Sequence, residues 1–202
     1  MKHLFYLTLI ITLTTSANGQ RIDNKLQTEI DSLKLFNIDT SLIYSFYCVG
    51  GYRLDTCTSD EPQYLFWLKE NRYFLKKFDN CQNYKPIILD TINPLSFYLS
   101  CKNEIDKEEI KMPYYLQSKS KKKEIVMTST ISHDCFYKMN FQLKMESIYK
   151  KVSDFNLTFK NFDDGKKNEY YIYNQSTKLK DLIEQLTQLI KQLNTKGKFE
   201  IE

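Results

Sequence analysis

Between Thr177 and Asn194 the chain carries Leu179, Leu182, Ile183, Leu186, Leu189, Ile190 and Leu193 at spacings of three and four, with Lys, Asp, Glu and Gln between them. On a helix these side chains form one apolar stripe. A lone helix of that length is marginal in water, so the rest of the chain must supply an apolar surface for it. Pairing with a second copy as a short coiled coil would also satisfy the stripe, but packing within one chain is the commoner use.

The surface on offer is a sheet. Gln63 to Lys69 holds Tyr64, Leu65, Phe66, Trp67 and Leu68; Glu70-Asn71 can turn; Arg72 to Asp79 returns with Tyr73, Phe74, Leu75 and Phe78. That pattern predicts a β-hairpin. Further strands are expected at Glu124 to Ser132 and at Cys135 to Lys144, where Cys135, Tyr137, Met139, Phe141 and Leu143 alternate. Phe155, Leu157 and Phe159 alternate too, and Asp163-Asp164-Gly165 supplies a turn into the β-rich run Tyr170 to Tyr173. Leu42 to Tyr47 reads as a strand or the end of a bent helix. A second amphipathic helix spans Gln20 to Asn37 through Ile22, Leu26, Ile30, Leu33 and Phe36, and a short solvated helix is expected from Asn103 to Lys111, ended by Pro113. Lys119 to Lys123, four Lys and one Ser, reads as a solvated loop between two halves. The expected architecture is α+β: an antiparallel sheet packed by the C-terminal helix, with the helix over Gln20 to Asn37 alongside it. With 42% hydrophobic and 14% aromatic residues and only 5 Gly and 4 Pro, the chain has material for a core and no low-complexity linker.

The first residues point to export. Met1, Lys2 and His3 precede an apolar run from Leu4 to Leu13, then Thr14, Thr15 and Ser16, then Ala17-Asn18-Gly19. These are the zones of a signal peptide over residues 1–19, with small residues where a peptidase needs them. Cleavage would leave a single domain over 20–202, secreted or periplasmic. The run falls short of the ~20 residues that span a bilayer, and no comparable run follows, so no transmembrane segment is expected after cleavage. Gln20 is not a cysteine, so a lipid anchor at the mature start is not indicated. Net charge is +4, and only Arg53 and Arg72 lie beyond Arg21, which argues against nucleic acid as a partner.

Five cysteines in an exported chain imply two disulfides and one thiol. Nearness along the chain favours Cys48 with Cys57 and Cys81 with Cys101, each bond stabilising by about 3 kcal/mol. Cys135 is then left over as a small buried hydrophobe.

Signals for chemistry are few. His133 is the only histidine after position 3, which removes two-histidine metal sites. On a strand His133 and Cys135 share a face while Asp134 points away, as a base and a thiol nucleophile would require; an ordinary half-buried histidine beside a core cysteine is the plainer reading. No CxxC, GxGxxG, GxxxxGK or GxSxG occurs, and no cofactor or metal is expected. Asn161, Asp163 and Gly165 echo a calcium loop but lack its spacing and read as a turn. The acidic pairs Glu108-Glu109, Asp163-Asp164 and Asp60-Glu61 read as solvated surface, though carboxylates that cooperate do so in space rather than in sequence. The lysine run could touch an anionic surface only weakly. Asn156-Leu157-Thr158 and Asn174-Gln175-Ser176 are glycosylation sequons, meaningful in a eukaryotic host.

These readings leave a non-enzymatic binding or interaction domain acting outside the cytoplasm, with an unidentified macromolecule or envelope component as partner and its oligomeric state open. The alternative is an extracytoplasmic hydrolase whose acidic residues converge only in the fold.

Overall fold

A computed structural model describes residues 20–50, 61–120, 123–144 and 146–202. The expected signal segment therefore lies outside the described residues, as does Cys57. In chain order the elements are α1 (Gln20–Leu35), β1 (Thr40–Cys48), β2 (Gln63–Lys69), β3 (Arg72–Phe78), β4 (Ile87–Leu89), α2 (Pro94–Ile105), β5 (Tyr114–Ser120), β6 (Lys123–Thr128), β7 (Cys135–Leu143), β8 (Glu146–Ser153), α3 (Asp154–Thr158), α4 (Tyr171–Gln175) and α5 (Lys178–Thr195).

Six strands form one antiparallel sheet in the order β4-β3-β2-β1-β7-β8, and β5 and β6 form a separate hairpin. The fold is α+β, as expected. Its expected hairpin is β2–β3, with Lys69 opposite Arg72. Glu70 and Asn71 take up the turn with φ of 50° and 62°, the left-handed pair that a two-residue connection needs.

Alternation along the strands divides the apolar residues between two faces. Leu42, Tyr44, Tyr64, Phe66, Leu75, Met139, Phe141 and Val152 face α2 and α5 and form the larger core with Leu95, Tyr98, Leu179, Leu182, Ile183 and Leu186. Leu65, Trp67 and Phe78 face the other way and are covered by Leu26, Ile30 and Leu33 of α1. The central strands are apolar on both sides and need two covers. Hence α1 lies across the sheet from α5 and not beside it.

Several expected elements change identity. Residues 94–105 are helical because Asn93 caps them: its side-chain oxygen accepts from the backbone N–H of Leu95 and Ser96, Ser96 Oγ accepts from the Asn93 N–H, and Pro94 takes the first helical position. The helix thus ends near where Asn103–Lys111 was expected to begin one. Phe155 and Leu157 belong to α3, capped by Ser153 Oγ accepting from Asn156 N–H at 2.9 Å, and the strand in this region is β8. Tyr171 to Tyr173 open α4 rather than a strand. The lysine run straddles the β5–β6 hairpin, where Lys119 pairs with Glu124 and Ser120 with Lys123, so most of it continues the strands.

The cysteine pairing is also corrected. Cys48 and Cys135 are register partners at the ends of β1 and β7 and form a disulfide across 87 residues of chain. Strand pairing makes neighbours of residues far apart in sequence, so Cys135 is bonded and not left over. Cys81 is disulfide-bonded, whereas Cys101, on α2, is free; the expected Cys81–Cys101 bond does not form.

Candidate functional site

The disulfide ties together the end of the sheet that carries the candidate site. Next to it, Phe46 and Tyr137 are register partners on the α5 side, with ring centroids 4.8 Å apart. Tyr44 and Tyr64 continue the aromatic floor at 6.3 Å. Above them α5 presents Thr187, Ile190, Lys191 and Asn194, spaced so that they line one edge of its apolar stripe. Together with Pro62 and Thr195 these residues enclose a groove of about 480 Å³, within the ~300–1,000 Å³ range of ligand pockets.

Tyr44 and Tyr137 have their hydroxyls engaged. Tyr44 Oη and Thr187 Oγ1 are hydrogen-bonded at 3.3 Å, and Tyr137 Oη donates to Asp154 Oδ1 at 2.7 Å. Burial pushes Tyr44 up to about 12, against a smaller opposing effect of the Thr187 bond. Burial also raises Tyr137, reinforced by its bond to Asp154. Each ring therefore stays neutral and offers its apolar body to the groove.

One charge borders this surface. Among the described residues Lys191 is the sole ionisable lining residue apart from the tyrosines, and its ammonium makes no ion pair. The helix explains why. Lys178 pairs with Asp181 at 3.5 Å and Lys180 with Glu184 at 2.7 Å, but the positions three and four from Lys191 on either side hold Thr187, Gln188, Asn194 and Thr195.

The opposite face of the same sheet end carries aromatic rings and lysines. Tyr47 stacks on Phe136 at 5.4 Å, with Lys138 3.9 Å from the Tyr47 ring centre and Lys151 4.1 Å from that of Phe136.

The residues singled out in the sequence lie elsewhere. Cys135 has no thiol to activate, since it is bonded to Cys48. His133 is exposed, with Nδ1 2.9 Å from Ser132 Oγ, and its ring lies against Gly50, where φ is +87° and a Cβ would fall 2.0 Å from His133 Cδ2. The nucleophile and base pair is therefore not assembled. Glu108 is not simply solvated: its carboxylate accepts from the backbone N–H of Lys178 at 3.1 Å and Leu179 at 2.7 Å, capping α5. Glu109 pairs with Lys111 at 3.0 Å. Asp164 accepts from Tyr115 Oη at 2.8 Å and pairs with Lys166. Asp60 lies outside the described residues. Asn161 to Lys167 forms the expected turn, with Gly165 at φ +80°. Among the described residues no group of three or more His, Cys, Asp or Glu side chains is placed to hold a metal ion, and no helix is long and apolar enough to cross a membrane.

The groove was missed in the sequence because its walls come from four elements. The signal present was the edge of the α5 stripe: Thr187, Lys191 and Asn194 flanking Ile190, with no acid in reach of the lysine. Comparison with protein-family models, curated proteins and solved structures found no match.

Proposed function

We propose that this chain is a non-enzymatic binding domain exported from the cytoplasm, holding its ligand in the groove between α5 and the β1–β2–β7 face. The observation that carries this reading is the makeup of the groove: phenol rings with bonded hydroxyls, and no carboxylate among the described lining residues. Hydrolysis by paired acids needs two carboxyl groups facing one cleft, roughly 5 to 9.5 Å apart. Recognition needs apolar area with a few placed polar groups, which this groove supplies. A ligand of that size is a small molecule or a projecting group of a larger envelope component.

Export is supported by the signal-like residues 1–19 and by the Cys48–Cys135 disulfide, which suits an oxidising compartment.

Two measurements test the proposal. The intact mass of the native polypeptide should begin at Gln20 in the extracytoplasmic fraction; a cytoplasmic chain beginning at Met1 overturns export. The neutral fluorophore N-phenyl-1-naphthylamine should bind the purified domain saturably, and Thr187→Trp, which fills the groove, should abolish that binding. Unaltered binding to the Trp variant would remove the groove as the site.

A further inference from the structure

We infer that the groove selects a small organic anion, a carboxylate or sulfonate carried on an apolar body, with the head group at Lys191 and the body against Phe46 and Tyr137. This rests on the groove being the binding site and adds the ligand's charge. Three features carry it.

First, among the described residues the lining carries one sign of charge: Lys191 is the one cation there, and no described carboxylate lines the groove. Asp154, which accepts from the Tyr137 hydroxyl, is not among the described lining residues.

Second, Lys191 is unlike the other lysines of its helix. Lys178 and Lys180 are each neutralised by an acid three or four residues on. Nor is Lys191 parked over an aromatic ring, as Lys138 and Lys151 are on the opposite face of the sheet. Its ammonium is left for an incoming partner.

Third, the remaining polar groups are partly committed. Thr187 Oγ1 is bonded to Tyr44, and Thr195 Oγ1 donates to the Lys191 carbonyl at 2.9 Å. A neutral polyhydroxylated ligand would find fewer uncommitted donors and acceptors here. An amphiphilic anion needs only the free ammonium and the ring surfaces.

The matched probes are 1-anilinonaphthalene-8-sulfonate and N-phenyl-1-naphthylamine, which share a skeleton and differ by the sulfonate. The anionic probe should bind about fivefold tighter than the neutral one, the factor expected for one partly exposed ion pair, with the advantage shrinking at high salt. Lys191→Gln should bring the anionic probe's affinity down to that of the neutral probe, and Lys191→Glu should push it lower. Lys196→Gln, at the exposed end of α5 outside the groove, should alter neither. Equal affinities for the two probes, or an unchanged preference in Lys191→Gln, would overturn the anion inference while leaving the groove in place. Saturable binding of both probes that persists in Thr187→Trp would instead overturn the groove itself. Urea unfolding curves of the variants that match the parent exclude loss of fold as the cause.

Discussion

Asn174 is fully buried, and its amide serves three backbone groups at once: it donates to the carbonyls of Lys111 at 2.9 Å and Asn156 at 3.0 Å and accepts from the Lys111 N–H at 2.9 Å. Asn174→Ala would orphan all three inside the protein, at about 1–3 kcal/mol for each buried group left unmade. Partial rehydration reduces the sum, so the expected loss is about 3 kcal/mol by urea denaturation, and a change below about 0.5 kcal/mol would contradict this accounting. In the sequence Asn174 shows itself only as the first residue of a sequon, a surface signal; the fold has sealed that site from modification. Lys191 was more legible. Its lack of an acid at helical spacing is visible without coordinates, but what it borders is not, because Tyr44, Tyr64 and Tyr137 read in sequence simply as strand residues.

Elements with strong periodicity were legible, and those defined by capping were not. α1, the β2–β3 hairpin, β7 and α5 carry long repeats of period 3.6 or 2, so burial and propensity agree. α3 and α4 are five residues each, too short for a period to distinguish helix from strand, and their Phe, Leu, Ile and Tyr content mimics a β-run. α2 depends on the Asn93-Pro94 cap, whereas the charge pattern after Asn103 placed the expected helix further along the chain. The strand pair that matters most for the site is β1–β7, whose disulfide closes a loop of 87 residues. In the chain-entropy account a closure of that length stabilises by about 4 to 5 kcal/mol. The double variant Cys48→Ser, Cys135→Ser should therefore unfold at markedly lower urea. It should also weaken probe binding, since Phe46 and Tyr137 lie two residues from the bonded cysteines. Undiminished stability would mean that β1 and β7 are held by their ladder alone. The sequence hid this bond because nothing local links positions 48 and 135 until the sheet is assembled.

At the scale of the whole molecule, the class was readable because two amphipathic helices and several alternating segments leave few ways to bury their stripes, whereas the placement of α1 was not. It depended on noticing that Leu65 and Trp67 are as apolar as their neighbours Tyr64 and Phe66, which makes the central strands two-faced. The same assembly buries several phenols, and that fixes the response to alkali. Tyr44 is pushed up to about 12 by burial, and Tyr84 to about 12 by burial and by its 2.6 Å bond to Asp79. Tyr98 and Tyr137 are raised by burial and by donating to Asp106 and Asp154. An unfolded chain ionises its tyrosines near pH ~10. A group whose folded value is raised contributes stability that is complete below the unfolded value and disappears as pH climbs through the folded one. The fold should thus hold its urea midpoint up to about pH 10 and lose it steeply towards pH 12, the window set by Tyr44 and Tyr84. Tyrosinate absorbance should rise in two stages, with the buried set following only as far-ultraviolet circular dichroism collapses. A single titration of all tyrosines near pH 10 with the fold intact would show that these phenols are not sealed as described.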